Sequence, residues 1–465
     1  MPSRSGVVLL LVLGALACAE NPPTKVGPTA KGATKPQTER QTSRELVKPT
    51  VGSAPESKYL QPPAGLADNQ SLPSEAESLP STSQNFRPAI ANLNRFYTRL
   101  AELERNEATA PLRVLWLGDS HTAADFLTDT VRNELWGRFR AGGPGFVHVG
   151  LSGTRHGGLS FESAGRFRSQ PRAPASRERS LDGVFGYGGI RTVPDPGSWL
   201  RMTAPRPAIG KVELNYRLRP GDSFEVRING ARVELPAPAY GDALQTASWS
   251  VPNEGAPFEL RVRGLAGSPE LFGADLVSEE SGLVLDTVGI NGARLATPLA
   301  WAESQFEAEV SRRNLSLFVV AFGTNEAFDN RNVERYAEDL RLLVARLAGA
   351  SPEASCWVLG PPDCNTRQGE PNERIPAISR VLETTALELG CGYTSQAELM
   401  RTEGGFNGWK NHSPQWARPD NIHLTVQGYE ELGRRLARVL LGDSPETPTL
   451  GASLRPELAQ LGSHP

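Results

Sequence analysis

Cysteine is scarce, with four in a chain of 465 residues. That excludes a disulfide-dense scaffold. Histidine is scarce too, six in all, and there is neither an H-E-x-x-H run nor a close cysteine cluster. A dedicated metal site is therefore not expected. Apolar stretches stay below transmembrane length, which excludes a multi-span membrane protein. Charge of one sign is also lacking: 49 basic residues face 52 acidic ones, for a net charge of −3. A strongly basic nucleic-acid-binding surface is not indicated overall. The glycine-rich runs Gly142–Phe146 and Arg155–Gly158 lack the Lys-Ser/Thr ending of a phosphate-binding loop, so a nucleotide site is not expected either. Hydrophobic residues make up 38%, low for a compact domain, which is normal once a disordered stretch is averaged in. The length corresponds to roughly three domain-equivalents.

Residues 1–18 read as an export signal. Arg4 supplies the positive end, and a short run of small and apolar residues from Gly6 to Ala17 follows. The run ends in Ala15-Leu16-Ala17-Cys18, which has two readings. One is cleavage by signal peptidase after an A-x-A site, giving a soluble periplasmic or secreted protein. The other is an imperfect match to the bacterial lipobox, with Cys18 as the lipidated first residue. The resemblance to bacterial lipoproteins, with Ala19 rather than Asp after the cysteine, implies a lipid-anchored outer-membrane protein facing the periplasm. Residues 19–85 are rich in Pro, Ser, Thr, Lys and Glu without periodicity and read as a disordered tether. As a flexible coil it spans on the order of 45 Å.

From residue 86 the pattern changes. Ile90, Leu93, Phe96, Tyr97, Leu100 and Leu103 have helical spacing. Leu112–Gly118 is a continuous apolar run, as in a buried parallel strand, and apolar residues at helical spacing follow through Phe139. Between residues 163 and 283 short alternating segments such as Ser223–Ile228, separated by Pro, Gly and Asp, read as half-buried antiparallel strands of a sandwich or jelly roll. The strand-and-helix pattern resumes over 284–442, and 443–465 reads as a loosely packed tail. The expected fold class is thus α/β, with one domain split into 86–162 and 284–442 around an inserted all-β module.

Three segments end apolar strands or open helices, where ligand sites gather in open α/β sheets. In Gly118-Asp119-Ser120-His121, the Ser120 hydroxyl sits on a turn whose backbone N–H groups can face developing negative charge. The same residues also suit an ordinary N-cap. In Gly323-Thr324-Asn325-Glu326, the Asn325 amide can point a donor across the sheet edge, or simply cap the next helix. In Asp420-Asn421-Ile422-His423, the carboxylate can hydrogen-bond one imidazole nitrogen and leave the other to take a proton from a serine.

Taken together and in this order, these blocks resemble the GDSL-type, or SGNH, hydrolases. His121 stands where that pattern has Leu, and Glu326 where it has Asp. Both departures, with "GDSHTAADFLTD", "GGPGFV" and "VGINGAR", are similar to a narrower group, the bacterial peptidoglycan O-acetylesterases. The resemblance covers residues 112–442. It implies an SGNH-like three-layer sandwich with a parallel sheet, interrupted by a jelly-roll-like module. It further implies Ser120 as nucleophile, His423 as general base and Asp420 as its orienting carboxylate. The oxyanion hole would use the Ser120 N–H, the Asn325 amide and a glycine, Gly292 in preference to Gly289. His121 and Glu326 are expected to be structural or to line the site, and no cofactor is implied. The implied substrate is an O-acetylated glycan of the cell wall. Rival readings are another acylated polysaccharide, small acyl esters, or a non-catalytic glycan-binding lipoprotein.

The module resembles a carbohydrate-binding domain. Its aromatics Tyr187, Trp199, Tyr216, Tyr240, Trp249 and Phe272 serve equally as core or as sugar-stacking faces. Beyond Cys18, Cys356, Cys364 and Cys391 leave at least one cysteine without an intrachain partner. A Cys364–Cys391 link is the expectation, since each flanks a predicted strand.

Overall fold

The computed structural model describes residues 90–443, except 172–181, 205–208, 237–242 and 252–256. The export signal, Cys18, the tether, Tyr240 and all of the tail beyond Asp443 lie outside the described residues.

The chain enters through helix α1 (Asn94–Glu104), which buries Phe96, Tyr97, Leu100 and Leu103. It continues into strand β1 (Leu112–Gly118) and then helices α2 (Ser120–Ala123) and α3 (Phe126–Trp136). The helical spacing predicts one uninterrupted helix here. Instead the chain breaks at Asp125, which adopts φ 53°. The buried carboxylate accounts for the break: it accepts from Thr128 Oγ1, Thr287 Oγ1, the Arg132 guanidinium and the Gly157 N–H. A continuing helix would not turn it toward these partners.

Twelve strands lead from there to the end of the antiparallel region and back to the first sheet. They begin with β2 (Gly145–Val147), β3 (Ser160–Ala164), β4 (Phe167–Gln170) and β5 (Arg191–Pro194). Next come β6 (Trp199–Ala204), β7 (Lys211–Arg217), β8 (Ser223–Ile228) and β9 (Ala231–Val233). The last are β10 (Gln245–Ser250), β11 (Phe258–Ala266), β12 (Glu270–Val277) and β13 (Leu283–Gly289). Strands β2 to β12 form two antiparallel sheets, β10-β7-β12-β5-β4 with β2 added on β12, and β3-β6-β11-β8-β9. Alternation is plain in β8 and the first half of β11, where every second residue is buried. Their apolar faces build a core of Leu200, Met202, Leu214, Phe224, Val226 and Leu260. Antiparallel pairing therefore begins ahead of residue 163: β3 forms the edge of one sheet beside β6, and β2 pairs with β12 in the other.

After β13 the α/β pattern resumes with α4 (Ala296–Leu299), α5 (Glu303–Ser311), β14 (Leu317–Ala321) and α6 (Glu334–Ala350). It then runs through β15 (Ser355–Gly360), α7 (Arg374–Glu388), β16 (Gly392–Ser395), α8 (Gln396–Arg401), α9 (Gly405–Asn411) and α10 (Val426–Leu441). The parallel sheet has the order β13-β1-β14-β15-β16. Every residue of β14 and β15 is buried, so both faces of the sheet are covered. Helix α3 packs on α10, and α6 packs on α5 and α7. In chain order of the parallel strands this is 2-1-3-4-5, and the order reverses at β1. In open α/β sheets ligands bind at such a reversal, which here lies outside the carboxyl ends of β1 and β14.

The disulfide joins Cys356 to Cys391, and Cys364 is free and buried. This corrects the expected Cys364–Cys391 link. Parallel pairing sets Trp357 beside Gly392, so the residues just before them, Cys356 and Cys391, stand side by side. Cys364 lies beyond the end of β15.

Where the module meets the parallel sheet, β12 is buried along nearly its whole length. Asp275 on β12 and Asp286 on β13 are both buried there, and Arg113 of β1 bridges them. Arg313 and Arg312 close on Asp275 at 2.5 and 3.3 Å. The Tyr187 hydroxyl donates to Asp286 at 2.8 Å, so Tyr187 belongs to this junction. Tyr216 and Phe272 are buried as well, which makes them core residues; Trp199 and Trp249 are only partly covered.

Candidate active site

Ser120 follows β1 directly and opens α2. Asp119 caps this helix by accepting from the His121 N–H at 3.0 Å. The turn is tight: a Cβ at Gly289, which pairs with Gly118 across the sheet, would lie 2.2 Å from the Ala123 nitrogen. Only glycine lets β13 pass this close behind the helix that carries the serine.

The Ser120 Oγ is 3.0 Å from His423 Nε2, and His423 Nδ1 is 2.9 Å from Asp420 Oδ2. The other carboxylate oxygen of Asp420 accepts from the N–H groups of Ile422 and His423 at 2.9 and 2.8 Å. Burial raises the Asp420 pKa, but the imidazole and the two backbone donors outweigh it. They hold the carboxyl well below its ordinary range. The three residues thus line up as hydroxyl, imidazole and ionised carboxylate.

Asn325 lies just past β14. Its amide nitrogen donates to the Ala293 carbonyl at 3.0 Å and faces Asp119 Oδ2 at 3.4 Å. Gly292, at φ 74°, is on the turn that holds Ala293, whereas Gly289 is still within strand pairing. Of the two glycines, Gly292 is therefore on the turn that meets Asn325. Glu326 is buried and accepts from the Leu295 N–H at 2.8 Å, tying the same turn to the segment after β14. It orients a loop rather than exposing a carboxylate to a ligand.

His121 is buried beneath the serine turn. Its Nδ1 is 3.0 Å from the Tyr429 hydroxyl, and its ring centre is 5.3 Å from that of His423. Burial, and after it the nearby His423, pushes its pKa down to about 3, so the ring stays neutral. Burial pushes Asp119 up to about 6 and Glu326, which also faces Asp119, up to about 7. Sequence reasoning did not single out Tyr429 or Asp125. Tyr429 carries no local signal, but Asp125 falls in mid-pattern of an amphipathic helix, where a buried acid is costly without a partner.

An open groove of ≈ 600 Å³ lies between the segment after Asn325 and the loop after β15, lined by Phe328, Arg367, Gln368, Glu370, Asn372 and Arg374. That loop is fastened to the histidine loop by the Asn365 N–H donating to the Asn421 carbonyl at 2.9 Å. Among the described residues, no group of three or more His, Cys, Asp or Glu is placed to hold a metal ion.

Residues 246–431 match the family of GDSL-like lipases and acylhydrolases. The match includes Asn325, Asp420 and His423 and stops short of Ser120 on the amino-terminal side. A solved structure of a peptidoglycan O-acetylesterase superposes with a TM-score of 0.62 at 22% identity, covering 74% of this chain and 95% of that one. A lipase/acylhydrolase from Enterococcus faecalis gives a TM-score of 0.28 at 20% identity, over 36% of this chain and 80% of its own. A family two carbohydrate esterase from Clostridium thermocellum gives 0.26 at 8% identity, over 60% and 96%. No curated protein matches the sequence significantly. The chain thus has the SGNH-type fold, split by a β module, and its residues 246–431 are similar to the GDSL-like acylhydrolases.

Proposed function

We propose that the protein is a serine esterase that removes O-acetyl groups from cell-wall peptidoglycan. The observation that carries the catalytic part is the chain Ser120 Oγ–His423 Nε2–Asp420 at 3.0 and 2.9 Å. Ser120 attacks the acetyl carbonyl while His423 takes its proton, and Asp420 steadies the imidazolium. The Ser120 and Gly292 N–H groups and the Asn325 amide donate to the tetrahedral oxyanion. For this, the Asn325 hydrogen now facing Asp119 at the longer distance turns to the oxyanion. His423 then protonates the departing sugar hydroxyl. Water, deprotonated by the same imidazole, releases acetate and restores the serine.

The substrate reading is supported by the superposition with a peptidoglycan O-acetylesterase over nearly that protein's full length, module included. In this reading the groove beside Phe328 receives glycan next to the acetylated sugar, and lipidation at Cys18 holds the enzyme at the outer membrane, facing the periplasm. The test is acetate release from O-acetylated peptidoglycan, acetylated xylan and a small chromogenic acetate ester. Ser120-dependent release favouring peptidoglycan supports the reading. Release from xylan or the small ester alone keeps the chemistry and removes the cell-wall assignment. For the anchor, labelled fatty acid should enter the wild type and not Cys18→Ala.

A further inference from the structure

Behind the serine turn lies a small cavity with ≈ 10 Å³ open to the centre of a water molecule, walled by Trp116 of β1, Asp119, His121, Thr324 and Gln396, among others. Three atoms on this wall, Trp116 Nε1, His121 Nε2 and Thr324 Oγ1, have no hydrogen-bond partner, although all three residues are at least nine-tenths buried. An indole N–H can only donate, so it needs an acceptor. The imidazole nitrogen gives or takes a hydrogen bond according to its tautomer. Leaving either unpaired costs about 1–3 kcal/mol. A cavity this size, with several polar partners, is large enough for one water. Water can accept from the indole while either donating to or accepting from the imidazole, and the Thr324 hydroxyl supplies a third contact.

We propose that this cavity binds one water, held by Trp116 Nε1–H, His121 Nε2 and the Thr324 hydroxyl, and that this water positions the His121 ring against the catalytic imidazole. The Tyr429 hydroxyl already holds the opposite ring nitrogen at 3.0 Å. With the water in place His121 is pinned at both ends, and its ring, 5.3 Å from that of His423 and tilted 40°, forms a fixed wall. The neutral ring puts no like charge against the imidazolium that forms on His423. His121 is thus a positioning residue, which accounts for a polar ring where the wider pattern has leucine. The positioning half rests on His423 being the base.

The water is tested in a crystal structure of the protein at a resolution that shows ordered solvent. One water within hydrogen-bond reach of Trp116 Nε1 and His121 Nε2 is expected; a dry cavity overturns the site. The positioning role is tested with Trp116→Phe, which removes the donor, and with the Thr324→Ser and Thr324→Val pair. In Trp116→Phe and Thr324→Val, kcat on a small acetate ester should fall about 3- to 10-fold, the loss of roughly one hydrogen bond, with KM within about twofold. Thr324→Ser, which keeps the hydroxyl, should retain the wild-type kcat. Unchanged kcat in the folded Val variant overturns the positioning role even if the water is present. If wild type cleaves no ester at all, the catalytic reading fails, while the solvent density still decides the water site.

Discussion

Two buried acidic clusters, one at the module junction and one at the carboxyl edge of the parallel sheet, are built in contrary ways. At the module junction, Asp275 and Asp286 are surrounded by Arg113, Arg312 and Arg313. Burial works against the Asp275 carboxylate, but the three arginines hold its pKa well below the ordinary range. At the carboxyl edge, Asp119 and Glu326 are as deeply buried, yet neither forms a salt bridge in the described structure. Their pKa values rise to about 6 and about 7 instead. The first cluster is charge-paired and specifies how the module docks. The second leaves two carboxyls without cationic partners, one capping the helix that Ser120 opens and the other fastening the turn after β13.

The sharpest way to break the comparison is to remove one acid from each cluster. Asp275→Ala leaves three arginines without their shared carboxylate, two of them buried or nearly so. It should cost about 3–5 kcal/mol in denaturant unfolding. The protein that remains folded should still cleave a small acetate ester at the wild-type rate. An unaffected stability would show that the junction is not held by this pairing.

Asn325→Ala should do the reverse. Stability should change little, while kcat falls about 100- to 1000-fold, the loss of one oxyanion donor. A modest effect would remove Asn325 from the oxyanion hole.

Glu326→Gln sharpens the electrostatic half. The folded protein holds a proton on Glu326 up to about pH 7, above the ordinary glutamate value of 4.5. The resulting stabilisation is complete below about pH 4.5 and is lost as pH rises toward 7. Relative to wild type, the glutamine variant should therefore gain stability with rising pH over this window, by at most about 3 kcal/mol. A flat difference across the window would place the Glu326 pKa near its ordinary value. The smallest effect is expected from Tyr429→Phe, about 1 kcal/mol in stability, through the lost hydrogen bond to His121.

Much of the scaffold was legible before any coordinates. Continuous apolar runs marked β1, β14 and β15, because strands covered on both faces need no polar alternation. Alternation marked β8 and β11 for the opposite reason. The three short polar blocks were legible because each ends a strand or opens a helix, and the fold then brings Ser120 and His423 together across 303 positions. What escaped notice depends on register and long-range partners. The Cys356–Cys391 pair follows from the parallel alignment of β15 with β16, which no local signal reveals. The break at Asp125 is set by Thr287 and Gly157, far along the chain. Arg113, Asp275 and Asp286 each look like ordinary strand residues until the strands are side by side. The contact of His121 with Tyr429 appears only in the folded chain.

The central claim is that Ser120, His423 and Asp420 act together on an acetyl ester of the cell wall. Its most direct test is acetate release by the full chain from O-acetylated peptidoglycan, beside the Ser120→Ala protein and a circular-dichroism check that both are folded. The account predicts steady release by the wild type and loss of at least about 1000-fold in the variant, as expected when a nucleophile is removed. Equal release by the two proteins, or none from the folded wild type, would contradict it.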